Sequence, residues 1–211
     1  MAHLVWDWNG TLLDDLSLVV TATNASLAIS GGPAVTADEH RRDFRRPIVD
    51  YYAFVLGRPV TSEEFERLDI AFHNAYRGGF EGCELAIDAL DAMAAWDGTQ
   101  SLLSMFFHDE LVPMVERLGL NGRLARVDGL RATLGGGPKA PHLEAHLAAI
   151  SVAGADCVLI GDSVDDAEAA QAVGARAVLY DGGFTDRARL LATGVPVASS
   201  LVEAVKIAQF G

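Results

Sequence analysis

The chain has 211 residues, of which 50 % are hydrophobic and 21 % are charged. This is the composition of an ordinary globular protein, and it excludes intrinsic disorder, collagen-like repeats and a disulfide scaffold. Sixteen basic residues stand against 29 acidic ones, and the resulting net charge of −13 disfavours nonspecific nucleic-acid binding. Only two of the basic residues are lysines, Lys139 and Lys206.

The N-terminal segment lacks the basic and apolar regions of a signal peptide, and no apolar run reaches the roughly 18 residues that a membrane span needs. The two cysteines, Cys83 and Cys157, have no metal-ligand spacing and are too few for a disulfide framework. We therefore expect buried thiols in a cytoplasmic protein whose partners include neither nucleic acid nor a membrane.

The chain begins with a short apolar run at residues 3–8 that ends at Asn9 and Gly10, which predicts a strand. Because polar residues do not alternate within the run, we expect a parallel strand covered on both faces. From about residue 16 to residue 77 the hydrophobic residues recur at helical spacing, and three or four helices are predicted there. One of these helices carries a capping signal that starts at Thr61.

Strands and helices alternate over the remainder of the chain. Helices are predicted at residues 85–96, 111–118, 141–150 and 167–173. Strands are predicted at residues 100–104, near 126–127, and at 156–160, 177–180 and 195–198. This alternation predicts an α/β fold with a doubly wound parallel sheet. The predicted domains are a core of residues 1–15 and 80–211 and an all-helical insertion of residues 16–79, which would lie over the carboxyl ends of the strands, where such sheets bind ligands.

Polar residues follow or end several of the predicted strands. Asp7 ends the first strand, Ser104 closes another, and residues 161–166 place three aspartates after a third. Aspartates this close repel one another unless a cation or a helix N-terminus compensates for their charge. Lys139 lies at a predicted helix start, where a positive charge is unfavourable, so we expect an anion beside it.

These segments resemble, in their order, the four motifs of the haloacid dehalogenase superfamily of phosphohydrolases. The residues that carry the resemblance are Asp7-x-Asn9-Gly10-Thr11, Ser104, Lys139 and Gly161-Asp162-x-x-x-Asp166. The helical insertion is similar to the C1 cap of phosphoglycolate phosphatase-like members, and the resemblance covers nearly the whole chain. It implies a Mg²⁺-dependent phosphohydrolase with a Rossmann-like core that acts on a small phosphorylated metabolite.

The resemblance also implies a role for each motif residue. Asp7 would attack phosphorus and form an aspartyl-phosphate that water then hydrolyses. The implied Mg²⁺ ligands are Asp7, the main-chain carbonyl of Asn9, Asp162 and, through waters, Asp166 or Asp165. Lys139 would neutralise charge beside Asp7, and Thr11 and Ser104 would donate hydrogen bonds to phosphoryl oxygens.

One residue departs from the pattern of the superfamily's phosphatases, which usually carry a second aspartate two residues after the nucleophile as general acid and base. Here that position is Asn9, whose amide cannot protonate an alkoxide, and general acid catalysis contributes about 10²–10⁴-fold. Five alternatives stay open: a weakened phosphatase, a phosphatase that uses His108 instead, a substrate with a good leaving group such as an acyl phosphate or anhydride, a phosphotransferase, and a non-catalytic phosphate-binding homologue.

The sequence argues against three other activities. Phosphonatases of this superfamily need a cap lysine, and residues 16–79 contain none. Haloacid dehalogenases need no metal, which disagrees with the aspartates of residues 161–166. The glycine run at residues 135–139 lacks the Gly-Lys-Ser/Thr ending of a nucleotide-binding P-loop. In the insertion, Arg45 and Arg46 belong to the densest basic cluster, which is either a solvated helix face or a contact for a second anionic group of the substrate.

Overall fold

The computed structural model describes residues 2–131 and 137–211, so Gly135 and Gly136 of the glycine run lie outside the described residues. The strands are β1 (His3–Trp6), β2 (Leu13–Asp14), β3 (Glu84–Leu85), β4 (Gln100–Phe107), β5 (Val127–Leu130), β6 (Cys157–Gly161), β7 (Arg176–Tyr180) and β8 (Val197–Ala198). The helices are α1 (Leu16–Ile29), α2 (Ala37–Asp43), α3 (Ile48–Leu56), α4 (Ser62–Phe80), α5 (Ala89–Ala95), α6 (His108–Arg117), α7 (Ala140–Ala149), α8 (Val164–Ala172), α9 (Arg187–Ala192) and α10 (Leu201–Phe210).

A six-stranded parallel sheet in the order β5-β4-β1-β6-β7-β8 forms the core. The central strand β1 pairs with β4 on one side and β6 on the other, so that Val5 lies opposite both Ser101 and Leu159. Every residue of β1 and of β6 is buried, as expected for strands that helices cover on both faces. The predicted doubly wound α/β fold is therefore confirmed.

The helical insertion between β2 and β3 consists of α1–α4, in agreement with the predicted three or four helices. Helices α1 and α4 pack along each other, and the Ser26 hydroxyl donates a hydrogen bond to the Leu68 carbonyl across them. Leu27, Tyr52 and Leu68 form a separate small hydrophobic core. Thr61 caps α4 by accepting a hydrogen bond from the Glu64 amide, as its sequence predicts. That the insertion is a domain bounded at residues 16 and 79 stays a prediction.

The structure differs from the predicted elements most clearly before α5, at the end of β4 and after β7. The helix predicted at residues 85–96 begins only at Ala89, because Leu85 belongs to β3 and pairs antiparallel with Leu13 of β2. Strands β2 and β3 are the two segments that connect the core to the insertion. Their pairing satisfies the hydrogen-bonding capacity of their backbone N–H and C=O groups. Strand β4 continues past Ser104 to Phe107. No sequence prediction covers α9 and α10.

The order of the strands determines where a ligand site can form. The chain leaves β1 for β4 on one side and later returns to β6 on the other, which opens a crevice at the carboxyl ends of these strands. The insertion contacts this edge, since the Arg41 guanidinium donates hydrogen bonds to the carbonyls of Gly182 and Gly183. Both cysteines are buried and unpaired. Across the described residues, the helices are too short or too polar to cross a membrane.

Candidate active site

The carboxyl ends of β1 and β6 bring three of the motif aspartates together. Asp7 directly follows β1 and Asp162 directly follows β6. One carboxylate oxygen from each of Asp7, Asp162 and Asp166 lies within 4.8 Å of the other two, and all three residues are buried. We call these three residues the acidic cluster. Parallel strands end at one edge of a sheet, and this explains why residues so far apart in the sequence meet here.

Lys139 lies against the acidic cluster with only 2 % of its side chain exposed. Its Nζ is 2.5 Å from Asp7 Oδ1 and 2.5 Å from Asp166 Oδ1. Burial alone would lower the pKa of this lysine, but the Asp166 and Asp7 carboxylates more than offset that effect and hold the pKa above its usual value. The residue is the N-cap of α7, and two aspartates provide the anion expected beside this cation.

The acidic cluster carries more negative charge than one lysine balances. Burial raises the pKa of Asp7 to about 6, even though Lys139 acts in the opposite direction. Burial and the neighbouring charges of Asp7 and Asp166 raise the pKa of Asp162 well above its usual range. Burial also acts to raise the pKa of Asp166, but Lys139 holds it below the ordinary value. Three carboxylates with one ammonium group therefore fit a further, divalent cation that prefers oxygen ligands.

The turn after β1 orients Asp162. Gly10 has a φ of +72°, and a Cβ atom there would lie 2.5 Å from Asp162 Oδ2, so this position requires glycine. The Thr11 hydroxyl donates a hydrogen bond to Asp162 Oδ1 at 3.2 Å and makes a longer contact of 3.5 Å with Asp7 Oδ2. The Phe184 amide donates to Asp162 Oδ2 at 2.6 Å. These donors fix the carboxylate while leaving it beside Asp7.

The side chain of Asn9 is fully engaged in hydrogen bonds. Its Nδ2 donates to Asp15 Oδ2 and to the Tyr76 hydroxyl, each at 2.9 Å, and its Oδ1 accepts from the Ser104 hydroxyl at 3.3 Å. Tyr76 in turn donates to Asp15 Oδ2 at 2.6 Å, and the Gly10 amide donates to the other Asp15 oxygen at 2.8 Å. A buried carboxylate therefore lies in contact with the residue that replaces the usual general acid.

No sequence prediction covers Asp15 or Tyr76 as a site residue. Asp15 precedes α1 and therefore resembles an ordinary helix cap, yet its side chain makes no capping hydrogen bond. Burial raises its pKa to about 6 against the hydrogen bonds from Tyr76 and Asn9, which lower it. Tyr76 is contributed by α4, 67 residues after Asn9, and nothing in the sequence pattern connects the two. The second acid of the Asp14-Asp15 pair is the only signal that the sequence offers.

Ser104 and Asp165, the alternative to Asp166, contact the rim of the site. Ser104 is buried within β4 and, besides its contact with Asn9, accepts a hydrogen bond from the Phe106 amide. Asp165 accepts a hydrogen bond from the backbone amide of Lys139 and lies 3.5 Å from the Arg46 guanidinium. Among the described residues, Asp166 rather than Asp165 therefore belongs to the acidic cluster.

Three candidate residues lie outside the motifs: Arg45 and Arg46 for substrate binding and His108 for proton transfer. The structure places them in different surroundings. Arg46 lies close to the site through its contact with Asp165, whereas Arg45 donates to the Asp43 carbonyl and stacks over the Phe54 ring with Cζ 4.1 Å from the ring centroid. His108 interacts with the Gly129 amide and with Arg131. None of the contacts that the structure describes for His108 reaches the acidic cluster.

A cavity of about 110 Å³ lies between the insertion and the core beside Asn9. We call it the cap cavity, and its lining includes Asn9, His40, Phe44, Arg46, Tyr76 and Phe184. Phe184 connects the cap cavity to the acidic cluster, because its ring lines the cavity while its amide holds Asp162. The organic part of a molecule bound at Asp7 would therefore have room on the Asn9 side.

The chain is similar to known proteins both locally and over most of its length. Residues 135–204 match a family model described as HAD-hydrolase-like. The phosphoglycolate phosphatase of Mesorhizobium japonicum is 27 % identical over 194 residues, which cover 87 % of this chain and 84 % of that protein. The phosphoglycolate phosphatase of Agrobacterium fabrum is 27 % identical over 192 residues, which cover 86 % of this chain and 81 % of that protein.

Solved structures share the whole fold. A haloacid dehalogenase-like family protein of Streptococcus pneumoniae has a TM-score of 0.80 at 19 % identity and covers 100 % of this chain and 99 % of its own. A hydrolase of Pseudomonas syringae has a TM-score of 0.80 at 20 % identity and covers both chains completely. At such identities these structures show the fold alone. The family model, the curated relatives and the shared fold agree in supporting a phosphoglycolate phosphatase-like hydrolase of the haloacid dehalogenase superfamily.

Proposed function

We propose that the protein is a Mg²⁺-dependent hydrolase of small phosphorylated metabolites in the cytoplasm, with Asp7 as the nucleophile. The observation that carries the proposal is the buried pairing of Asp7 with Lys139 inside a cluster that holds two further carboxylates. A carboxylate can attack an anionic phosphoryl group only where positive charge is concentrated. In a chain with a net charge of −13, that concentration requires both Lys139 and a metal ion.

The acidic cluster is suited to hold the metal. Its carboxylates, together with the main-chain carbonyl of Asn9, are hard oxygen ligands, which favour Mg²⁺ over Zn²⁺. When bound, the ion would neutralise charge on the phosphoryl oxygens and reduce their repulsion with Asp7. The raised pKa values of Asp7 and Asp162 support this assignment, because a cation would stabilise the ionised forms that burial disfavours.

The chain's own residues divide the reaction into two displacements. An oxygen of Asp7 forms a bond to phosphorus, the bond from phosphorus to the organic oxygen breaks, and that oxygen leaves with its electron pair. Because Lys139 engages Oδ1, Oδ2 is the freer nucleophile, and Thr11 contacts it at 3.5 Å. Water then attacks phosphorus, inorganic phosphate is released with the loss of one proton, and the Asp7 carboxylate is regenerated.

Asn9 determines which substrates this site can use. Its two amide hydrogens are committed to Asp15 and Tyr76, and an amide has no proton to give an alkoxide. Acyl phosphates and anhydrides need no such proton, because their leaving oxygen departs as a stable anion. We therefore propose hydrolysis of phosphoric esters or anhydrides with good leaving groups, and phosphoglycolate, which names the curated relatives, belongs in the test panel.

A second candidate function is phosphotransfer. Without a base at residue 9, the water that would hydrolyse an aspartyl-phosphate is poorly activated, so a long-lived phosphorylated Asp7 could pass its phosphoryl group to another acceptor. A non-catalytic phosphate-binding role is the remaining alternative. Rapid borohydride trapping followed by mass spectrometry separates them: a phosphorylated Asp7 that persists until an acceptor is added supports phosphotransfer.

The direct test measures Mg²⁺-dependent phosphate release from acetyl phosphate, p-nitrophenyl phosphate and phosphoglycolate. We expect release that Asp7→Asn abolishes and EDTA prevents. The matched control is Asp14→Asn, which removes an exposed carboxylate from the same segment and should leave the rate unchanged. Release that survives in Asp7→Asn, or an inert protein in which beryllofluoride with Mg²⁺ does not bind, would contradict the proposal.

A further inference from the structure

We propose that the cap cavity binds the organic part of the substrate and selects a compact, uncharged, mainly apolar group rather than a small carboxylate. This inference rests on the proposed function, since it concerns the substrate of the same site. The cap cavity adjoins the acidic cluster through Asn9 and Phe184, so a group attached to a phosphoryl at Asp7 would extend into it.

Aromatic rings form most of the cavity wall. The Phe and Tyr residues that line it are Phe44, Tyr51, Tyr52, Phe72, Tyr76, Phe106 and Phe184. Phe44 packs on Phe184 with ring centroids 6.0 Å apart and stacks on His40 at 5.0 Å, so the wall is a continuous packed surface. The volume of about 110 Å³ is smaller than the roughly 150 Å³ of a cavity that holds benzene, which leaves room for a branched group of four or five carbons.

The charges around the cavity oppose a carboxylate. Among the described lining residues Arg46 is the one permanent cation, and its guanidinium already lies 3.5 Å from Asp165 and donates to the Gly137 carbonyl. Asp69 also lines the cavity, and among the described residues the ion-pair contact of its carboxylate is with His73 Nε2 at 3.5 Å. An incoming carboxylate would lose its water, meet Asp69 and compete with Asp165 for Arg46, whereas an alkyl group would only bury apolar surface.

Two histidine nitrogens in the wall, His40 Nε2 and His73 Nδ1, have no hydrogen-bond partner among the described residues. His40 is 1 % exposed, its Nδ1 is hydrogen-bonded to the Tyr51 hydroxyl at 2.9 Å, and its Nε2 has no partner among the described residues. Burial lowers the pKa of His40 to about 4, so the ring is neutral near pH 7. A neutral imidazole can hydrogen-bond one uncharged polar atom of a substrate but cannot replace a cation for a carboxylate.

The test uses two phosphonates of equal heavy-atom count that cannot be hydrolysed, 3-methylbutylphosphonate and 3-phosphonopropanoate. They differ only at the terminus, which is an uncharged isopropyl group in the first compound and a carboxylate in the second. With Mg²⁺ in calorimetry, we expect the alkyl phosphonate to bind at least about tenfold more tightly, because the carboxylate loses hydration without a free cation. Equal binding, or tighter binding of the carboxylate, would overturn the inference, as would failure of the alkyl phosphonate to bind.

Two variants identify which residues cause the preference. Asp69→Asn should narrow the ratio of the two affinities by about threefold or more, because it removes a negative charge from the wall. The control Glu66→Gln removes an exposed carboxylate from the same helix and should leave the ratio unchanged. His40→Phe should weaken the binding of 3-phosphonopropanamide, the uncharged polar isostere of 3-phosphonopropanoate. The affinity for the alkyl phosphonate should stay the same. An affinity ratio that does not change in Asp69→Asn would contradict the electrostatic argument.

The outcomes separate this inference from the proposed function. Asp7-dependent phosphate release together with a preference for the carboxylate ligand would leave the hydrolase proposal standing and refute the inference. A preference for the alkyl phosphonate in a protein that releases no phosphate from any substrate would support the cavity argument and refute hydrolysis.

Discussion

Replacing Asn9 with aspartate tests the central feature of the site. The substitution exchanges Nδ2 for an oxygen at a point 2.9 Å from Asp15 Oδ2 and 2.9 Å from the Tyr76 hydroxyl. Two carboxyl groups would then face each other without an intervening donor. Whether the variant gains a general acid depends on whether this pair keeps a proton near pH 7.

A comparison of the electrostatic energies indicates that the pair of carboxyl groups keeps one proton near pH 7. Two ionised carboxylates about 3 Å apart repel by roughly 5 kcal/mol at an effective dielectric constant of about 20. Asp15 already has a pKa of about 6, so protonating it at pH 7 costs only about 1.4 kcal/mol. Because repulsion exceeds this cost, the new carboxyl group of Asn9→Asp and the Asp15 carboxyl together hold one proton, which lies beside the leaving group.

We expect Asn9→Asp to increase kcat for alkyl phosphates by about 10²-fold or more, within the usual contribution of general acid catalysis. The gain should be small for p-nitrophenyl phosphate, whose leaving group needs no proton. It should disappear as pH rises through the apparent pKa of the pair. Steady-state phosphate release between pH 6 and pH 9 measures all three effects, and Asn9→Ala, which provides no carboxyl, is the matched control.

The result that refutes the reasoning is specific. If folded, Mg²⁺-binding Asn9→Asp cleaves isobutyl phosphate no faster than the parent, the lack of a proton donor at residue 9 is not what limits the reaction. Equal gains on isobutyl and p-nitrophenyl phosphate would also contradict general acid catalysis, because they would indicate a change in binding or metal affinity.

Four further predictions concern the acidic cluster, the substrate and a buried histidine. Lys139→Met leaves Asp7 buried without its ammonium partner, so we expect the free energy of unfolding in urea to fall by about 3–5 kcal/mol and phosphate release to be lost. Asp162→Asn removes a carboxylate that its neighbours repel, so the metal-free protein should unfold at a higher temperature while the stabilisation by Mg²⁺ disappears. Isobutyryl phosphate should be cleaved about 10²-fold or more faster than isobutyl phosphate, since only the ester needs a protonated leaving group. Burial lowers the pKa of His146 despite its hydrogen bond to Asp128. Below about pH 6.5 the unfolded chain therefore binds a proton at this residue more readily than the folded protein does. The free energy of unfolding should fall from pH 6.5 to pH 5, and it should fall more steeply in the parent than in His146→Gln.

The sequence predicts the parts of the site that follow from the fold. A run of apolar residues without alternation indicates a buried parallel strand, and parallel strands share one carboxyl edge. The meeting of Asp7 with Asp162 follows from these two rules. The position of Lys139 follows from charge, because a cation at a helix start needs an anion, and the structure provides Asp7 and Asp166.

The parts that depend on contacts between the insertion and the core could not be predicted. Tyr76 reaches Asn9 only because α4 packs against α1 in one particular arrangement, and helical spacing gives no information about that arrangement. Asp15 has the sequence position of a helix cap, and only the structure shows that its carboxylate turns to Asn9 and Gly10 instead. The pairing of β2 with β3 is likewise too short for a periodic signal.

The cap cavity and Asn9 restrict the substrate in complementary ways. The cavity wall favours a compact apolar group and opposes a carboxylate, while Asn9 gives the leaving oxygen no proton. An alkyl ester meets the first condition but not the second, because its leaving alkoxide is strongly basic. A short branched acyl phosphate meets both: the acyl chain is apolar and its carbonyl uncharged, and cleavage turns the acyl group into a carboxylate. The charge of that carboxylate forms on the leaving oxygen, which Asn9 gives no proton and which, as a stable anion, needs none.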